Sequence, residues 1–496
     1  MFKNFPGYKV LEKIQKNKSH KRERKFPLNA IKLIFIVAIT AVIALLPTES
    51  FGIEGLIVVH QRIISLFVFA ALMWLTETMP SWVTSMVVVT VMLFTVSTSA
   101  FNFLRPEDAA LVPFKSIFAC FSNPTIMLFI GGFVLAIGLT KVKLDVALAR
   151  VLLKPFGTRS EIVLLGFILV TAIFSAFVSN TATAAMMLAF LTPVLRSLPA
   201  DGKGRIALAL AIPVGANLGG MMTPIGTPPN MIALDYLSSQ GMGISFVDWT
   251  IKMAPFVILL LVLSWLLLRI LFPFKQKSIK IEIEGDINWN FKTWSVVVAF
   301  AITIFMWMFG TDMWGIDTNV VAMIPIAIFC ATGILTRRDL EEINWSVLWM
   351  VAGGFALGVA LNYTDGTTPA LSSLIVKSVP FDNFSPIAVM ILAGLICFGF
   401  SNFISHSAAT SLLVPVLGVV ASGLGTALDS VGGPQAMLVG IAIASSVSMI
   451  LPISTPPNAI AHSTGFIEQK DMMKVGIIVG IMGLVLGYAM LIFIGF

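Results

Sequence analysis

From Ile31 to its last residues the chain is threaded by apolar runs long enough to cross the hydrocarbon core of a bilayer. A helix needs about 17 to 25 such residues to span that core, and lipid offers no partner for an unpaired backbone N–H or C=O. The runs lie near 31–47, 62–78, 81–97, 114–139, 205–235, 251–272, 293–309, 317–335, 345–361, 435–462 and 473–494. They predict an all-α integral membrane protein with about eleven transmembrane helices. Composition excludes a soluble domain: of 496 residues, 57% are hydrophobic and 11% charged, too few charges to cover a solvated surface. Cys120, Cys330 and Cys397 are scattered through apolar segments. They read as small core residues with neither metal-ligand spacing nor a disulfide framework.

Two regions, 160–196 and 385–421, fit badly as single crossings. Each has two apolar arms broken by a polar cluster, Ser179-Asn180-Thr181 in one and Ser405-His406-Ser407 in the other. A re-entrant hairpin is expected, its polar tip sheltered by protein or a wet cavity. The net charge of +7 is concentrated in Lys9 to Lys25, ahead of the first run. It reads as a cytoplasmic topology signal facing lipid headgroups, not as a nucleic-acid arm. No cleavable signal peptide is evident. Segments 140–160, 196–205, 269–292, 336–344 and 463–472 carry Lys and Arg, among them Lys141, Arg150, Arg205, Lys277 and Arg337. Loops 236–250 and 422–434 carry none. The expected topology is a multi-pass plasma-membrane protein with a cytoplasmic N-terminus and an external C-terminus. The first hairpin then opens from inside and the second from outside.

The chain also resembles itself. Phe129-Ile-Gly-Gly-Phe returns as Val351-Ala-Gly-Gly-Phe, Ser179-Asn-Thr-Ala-Thr-Ala-Ala185 as Ser405-His-Ser-Ala-Ala-Thr-Ser411, and Thr223-Pro-Ile-Gly-Thr-Pro-Pro-Asn230 as Leu451-Pro-Ile-Ser-Thr-Pro-Pro-Asn458. Hairpins entering from opposite faces imply inverted repeats, the plan of many secondary transporters. The expected organisation is a basic tail at 1–27, a first span and external loop at 28–61, repeats at 62–273 and 292–496, and a cytoplasmic linker at 274–291.

Thr-Pro-Pro-Asn within an apolar run disrupts a continuous helix, because Pro228, Pro229, Pro456 and Pro457 lack the amide hydrogen and crowd the preceding turn. A single copy would pass for a proline kink. Two copies at equivalent positions, each following a polar hairpin tip, predict broken helices that form a binding site. Free N–H ends suit an anion and free carbonyl ends a hard cation. The substrate candidates are Ser179, Asn180, Thr181, Thr227 and Pro228 with Ser405, His406, Ser407, Thr455 and Pro456. The candidates for a cation are Ser179, Asn180, Gly226, Asn230, Ser405 and Asn458. Two facing clusters match a substrate with two anionic groups. Ser405, His406 and Ser407 do not make a nucleophilic triad, since adjacent helical residues diverge and no carboxylate lies nearby to orient the imidazole. Trp249, Trp345 and Trp349 read as interfacial anchors.

The Ser-Asn-Thr tip, the paired Thr-Pro-Pro-Asn breaks and the two Gly-Gly-Phe segments resemble the divalent anion/sodium symporter family, from about residue 60 onward. The resemblance implies a homodimer with a scaffold and an elevator-type transport part, holding a dicarboxylate, tricarboxylate or sulfate between two sodium sites. It implies no cofactor beyond sodium as a coupling ion. The second half departs from the pattern, with His406 where an asparagine is expected; an alternative alignment places Ser401-Asn402 there. The departure favours a sodium-independent dicarboxylate exchanger, His406 standing in for a cation. A histidine tolerated in a polar cavity, with sodium symport retained, is the competing reading, and an anion channel a further one.

Overall fold

The computed structural model describes residues 26–106, 110–199, 202–279, 288–379 and 384–496. The basic stretch Lys9–Lys25 lies outside the described residues, as do Lys280, Glu282, Glu284 and Asp286 of the expected linker. Among the described residues the fold is helical, with two isolated β-bridges, Ser97 to Val112 and Arg159 to Ser278. Ten of the described helical stretches are long and apolar enough to cross a membrane, and four shorter apolar ones accompany them.

After an initial helix, Phe26–Leu45, one plan is used twice. The first pass opens with Val58–Thr76 and Ser81–Thr95; the second opens with Phe291–Trp314 and a helix interrupted at Ala322 into Thr318–Val321 and Met323–Ala331. Next come the Gly-Gly-Phe helices Pro124–Lys141 and Trp345–Asn362, then the short helices Leu144–Leu153 and Leu371–Ser378. The hairpins follow, Ser160–Phe177 with Asn180–Ser197 and Pro386–Phe403 with His406–Leu424. Each half then has a broken helix, Lys203–Gly219 with Pro228–Ser239 and Gly433–Ser446 with Pro456–Ser463, and a long closing helix, Phe246–Leu271 or Gln469–Phe493.

The hairpins turn in two residues. Val178 (φ −124°, ψ 153°) and Ile404 (φ −115°, ψ 170°) are extended, and the next serine caps the returning arm. The polar cluster therefore ends one helix and starts the next. The expected run at 114–139 is divided by a 3₁₀ turn, Cys120–Ser122, and the run at 317–335 by the break at Ala322. The short helices Leu144–Leu153 and Leu371–Ser378 were not expected, being too short for a crossing.

Lys141, at the end of the first Gly-Gly-Phe helix, reaches into the second half. Its Nζ donates to the Ile334 carbonyl at 2.6 Å and lies 2.5 Å from Asp339 Oδ2. Thr336 and Asp339 close a capping box on the same carboxylate. Burial pushes the Asp339 carboxyl up, but the hydrogen bonds from Lys141 and Thr336 outweigh it and hold the group below the usual carboxylate range. Two side-chain expectations are corrected. Trp249 is no interfacial anchor: it is fully buried, whereas Trp345 and Trp349 are exposed. Cys120 and Cys397 are buried, but Cys330 is exposed on its helix.

Candidate functional site

At the first break, Lys203–Gly219 passes through a 3₁₀ turn, Gly220–Met222, to an extended Thr223. The chain re-enters helix at Pro228, with Thr227 as N-cap. Proline fits this first helical position, where the amide hydrogen has no acceptor. The carbonyls stranded by the break need donors, and Asn230 supplies them: its Nδ2 donates to Gly220 O at 3.1 Å and Thr223 O at 2.9 Å. Trp249 Nε1 donates to Met221 O at 3.0 Å, which explains its burial. Gly226 is required by close approach, since a Cβ there would lie 2.4 Å from Gly220 O.

The hairpin tip sits against this break. Ser179 Oγ accepts from the Ala182 amide at 3.2 Å. Asn180 Oδ1 accepts from Ser175 Oγ at 2.5 Å. The Thr223 hydroxyl donates to the Ala176 carbonyl.

The second half repeats the backbone and changes the side chains. Ser405 Oγ caps the returning arm through the Ala408 amide at 3.2 Å, so Ser405 matches Ser179 and His406 matches Asn180. Ser401 and Asn402 lie in the last turn of the outbound arm, not at the tip. There Asn402 Oδ1 accepts from the Ile450 amide at 2.9 Å. His406 Nε2 lies 2.5 Å from the Ser448 carbonyl, a contact that needs the proton on Nε2. Ser445 Oγ donates to the His406 carbonyl at 3.0 Å. Asn458 Nδ2 donates to Met449 O at 2.9 Å and Leu451 O at 3.1 Å, as Asn230 does in its half, while Thr455 Oγ1 caps the Asn458 amide.

The structure brings the two clusters together. Helix Pro456–Ser463 packs on the first hairpin's returning arm, and Pro228–Ser239 on the second's. Asn217 Nδ2 donates to Asn458 Oδ1 at 3.0 Å across the boundary between the halves. The direction is fixed, because Asn458 has already committed its Nδ2 to two carbonyls. Repeat alignment pairs Asn217 with Ser445, and Ser445 spends its proton on His406. Accordingly Asn230 Oδ1 is buried with no donor among the described residues. Ser179, Asn180, Thr181, Pro228, Ser405 and Ser407 are half-buried and Pro456 is exposed, whereas Thr227, Thr455, Gly226, Asn230, Asn458 and His406 are buried. A cavity of about 210 Å³ opens beside Ser179, with Glu342 and Asn344 also in its wall. Sequence reading missed Asn217, Ser445 and Ser448, for which only the spacing from the proline pairs within the repeat offered a signal, and it placed Trp249 at the membrane interface instead.

Each half thus presents two helix N-termini: those at Asn180 and His406 offer free N–H groups and a dipole that suit an anion, whereas those at Pro228 and Pro456 begin with two prolines and offer the dipole alone. Two packed hairpins and two helices broken within the apolar core are the plan of many secondary transporters. The Alcanivorax borkumensis YdaH transporter shares the fold, with a TM-score of 0.52 at 12% identity over 86% of this chain and 97% of that one. The family profile described as citrate transporter matches residues 71–432, and the chain belongs to this family, within the divalent anion/sodium symporters. An uncharacterized transporter of Haemophilus influenzae is 29% identical over 467 residues, 91% of this chain and 94% of that protein. The sodium-dependent dicarboxylate transporter SdcS of Staphylococcus saprophyticus is 26% identical over 461 residues, 85% of this chain and 84% of that protein.

Proposed function

We propose that the chain is a secondary active carrier of dicarboxylate anions, C4-dicarboxylates and 2-oxoglutarate, working by elevator-type alternating access as a sodium-independent exchanger. It acts as a homodimer in the plasma membrane, with its N-terminus cytoplasmic. One carboxylate binds at Ser179, Asn180, Thr181, Thr227 and Pro228, the other at Ser405, His406, Ser407, Thr455 and Pro456.

The observation that carries this reading is the contact of His406 Nε2 with the Ser448 carbonyl. Ser448 aligns with Gly220, whose carbonyl turns to Asn230 in the first half. An imidazole N–H thus occupies a backbone carbonyl beside the second hairpin tip, which leaves one oxygen fewer to hold a cation there. The anion then meets helix N-termini and an N–H donor in place of a second sodium ion. Without its anion the carrier would move uncompensated partial positive charge past lipid, which favours exchange over net uptake.

A sodium-coupled symporter is the second reading, favoured by the unpartnered Asn230 Oδ1. Together with the Gly226 carbonyl, that oxygen fits the hard-oxygen preference of sodium at the first half-site.

The deciding experiment is labelled succinate uptake into proteoliposomes, with and without an inward sodium gradient and with and without unlabelled dicarboxylate inside. Uptake that requires internal dicarboxylate and ignores sodium supports the exchanger. Sodium-driven uptake into empty vesicles replaces it with the symporter. Uptake that neither saturates nor responds to internal substrate indicates a channel.

A further inference from the structure

The duplicated Gly-Gly-Phe segment holds none of the ligand candidates named above, yet its two copies sit in different surroundings. The first glycine of each pair makes a tight contact with a neighbouring helix. A Cβ on Gly131 would lie 2.4 Å from Ala322 O, and one on Gly353 would lie 2.4 Å from Ser85 Cβ. The second glycines differ. A Cβ on Gly354 would meet Ser411 Cβ at 3.0 Å and Oγ at 3.2 Å, and one on Gly358 would meet Pro415 at 3.9 Å. The second hairpin's returning arm therefore lies flush on helix Trp345–Asn362. Gly132 aligns with Gly354, but a Cβ there would meet nothing within 4 Å. In the first half a cavity separates the same faces, with Phe133, Ala136 and Thr140 on one wall and Ser179 and Ala182 on the other.

One repeated pattern is thus closed in one half and open in the other. Glycine in a helix interior is destabilising relative to alanine, and nothing within 4 Å of a Cβ at Gly132 requires its small size here. The repeat alignment supplies the missing neighbour: Ser411, which covers Gly354, pairs with Ala185 of the first returning arm.

We propose that Gly132 and Ala185 form the closing contact of the carrier's other conformation. In that state Ala185 lies on Gly132 and shuts the cavity beside Ser179, while Ser411 leaves Gly354 and opens the mirror-image cavity beside Ser405. The inference rests on the alternating-access reading and adds to it the contact that forms and the contact that breaks.

Cysteine pairs test it, in the full chain with Cys120→Ala, Cys330→Ser and Cys397→Ala. Oxidant should cross-link both Gly132→Cys/Ala185→Cys and Gly354→Cys/Ser411→Cys in membranes, each link should stop exchange of labelled succinate, and reductant should restore it. Gly132→Leu adds bulk on the face where a Cβ meets no neighbour within 4 Å. It should keep succinate binding, read as a thermal shift, yet lower exchange about tenfold, the bias that one overpacked contact places on a two-state equilibrium. The proposal is overturned if the first pair stays unlinked where the second links, if linking it leaves exchange intact, or if Gly132→Leu exchanges like the unaltered protein. Absence of succinate exchange in the unaltered protein would count against the proposed function alone, because cross-linking reads the contact directly.

Discussion

The two halves share a backbone and diverge in the atoms they offer a ligand. Both keep the serine cap at the hairpin tip, the threonine and proline that restart the broken helix, and the asparagine that ties its stranded carbonyls. These are the groups a helix needs in order to break inside lipid, where an unpaired carbonyl costs several kcal/mol. The residue after the serine is free to differ. In the first half Asn180 presents an amide held by Ser175; in the second His406 directs an N–H at Ser448. Within this site, what maintains the fold is duplicated, and the residue proposed to select an ion is not.

The largest effect should come from removing a tie. Asn458→Ala strands Met449 O and Leu451 O and releases Asn217, each buried orphan costing ~1–3 kcal/mol. Succinate uptake should disappear and thermal unfolding should occur at lower temperature. Asn230→Ala should do less harm, because Asn230 Oδ1 holds no partner among the described residues. Equal losses in the two variants would erase the proposed asymmetry.

Next in size, His406→Asn makes the second tip like the first. It should introduce sodium stimulation of uptake of about fivefold or more, ~1 kcal/mol of coupling between ion and anion. An unchanged response to sodium and pH would remove His406 from the ion-selecting role. Trp249→Phe should cost only ~1 kcal/mol, the worth of one hydrogen bond to the Met221 carbonyl. It should lower thermal stability without altering the ion response.

The smallest effect concerns the short helices between the Gly-Gly-Phe helices and the hairpins. Leu144–Leu153 carries Asp145, whereas its counterpart Leu371–Ser378 has no carboxylate. Burial raises the Asp145 carboxyl to about 6, against a weaker downward pull from the Val146 amide. The folded state therefore holds this proton more tightly than the unfolded state. Stability falls as pH rises from the ordinary carboxylate range toward 6 and is level above it. Asp145→Asn should flatten that decline in a pH series of thermal unfolding, while Ser372→Asn should leave it unchanged.

Much of this architecture was legible in the sequence. Hairpins expected at 160–196 and 385–421 occupy Ser160–Ser197 and Pro386–Leu424, because a polar cluster between two apolar arms leaves few alternatives in lipid. The breaks at Thr227 and Thr455 were equally plain, since two prolines cannot continue a helix. The short helices escaped notice because eight or ten amphipathic residues look like a loop beside membrane-length runs. Asn217 escaped for another reason. A single amide in an apolar run has no visible partner, and its acceptor, Asn458, lies in the other half of the chain. Trp249 was misplaced because a tryptophan near a helix end usually marks the headgroup region, and only the packed break shows the carbonyl it serves.

The mismatch between Asn180 and His406 has a genetic side as well. A pair of identical subunits joined face to face must show every substitution twice, once in each partner. Two copies fused into one polypeptide are released from that rule, and a codon in one can drift while its twin is held. An imidazole in one half and an amide in the other is thus a pairing that a symmetric pair of identical chains cannot have, and it lets a carrier with a duplicated frame assign different work to its two sides.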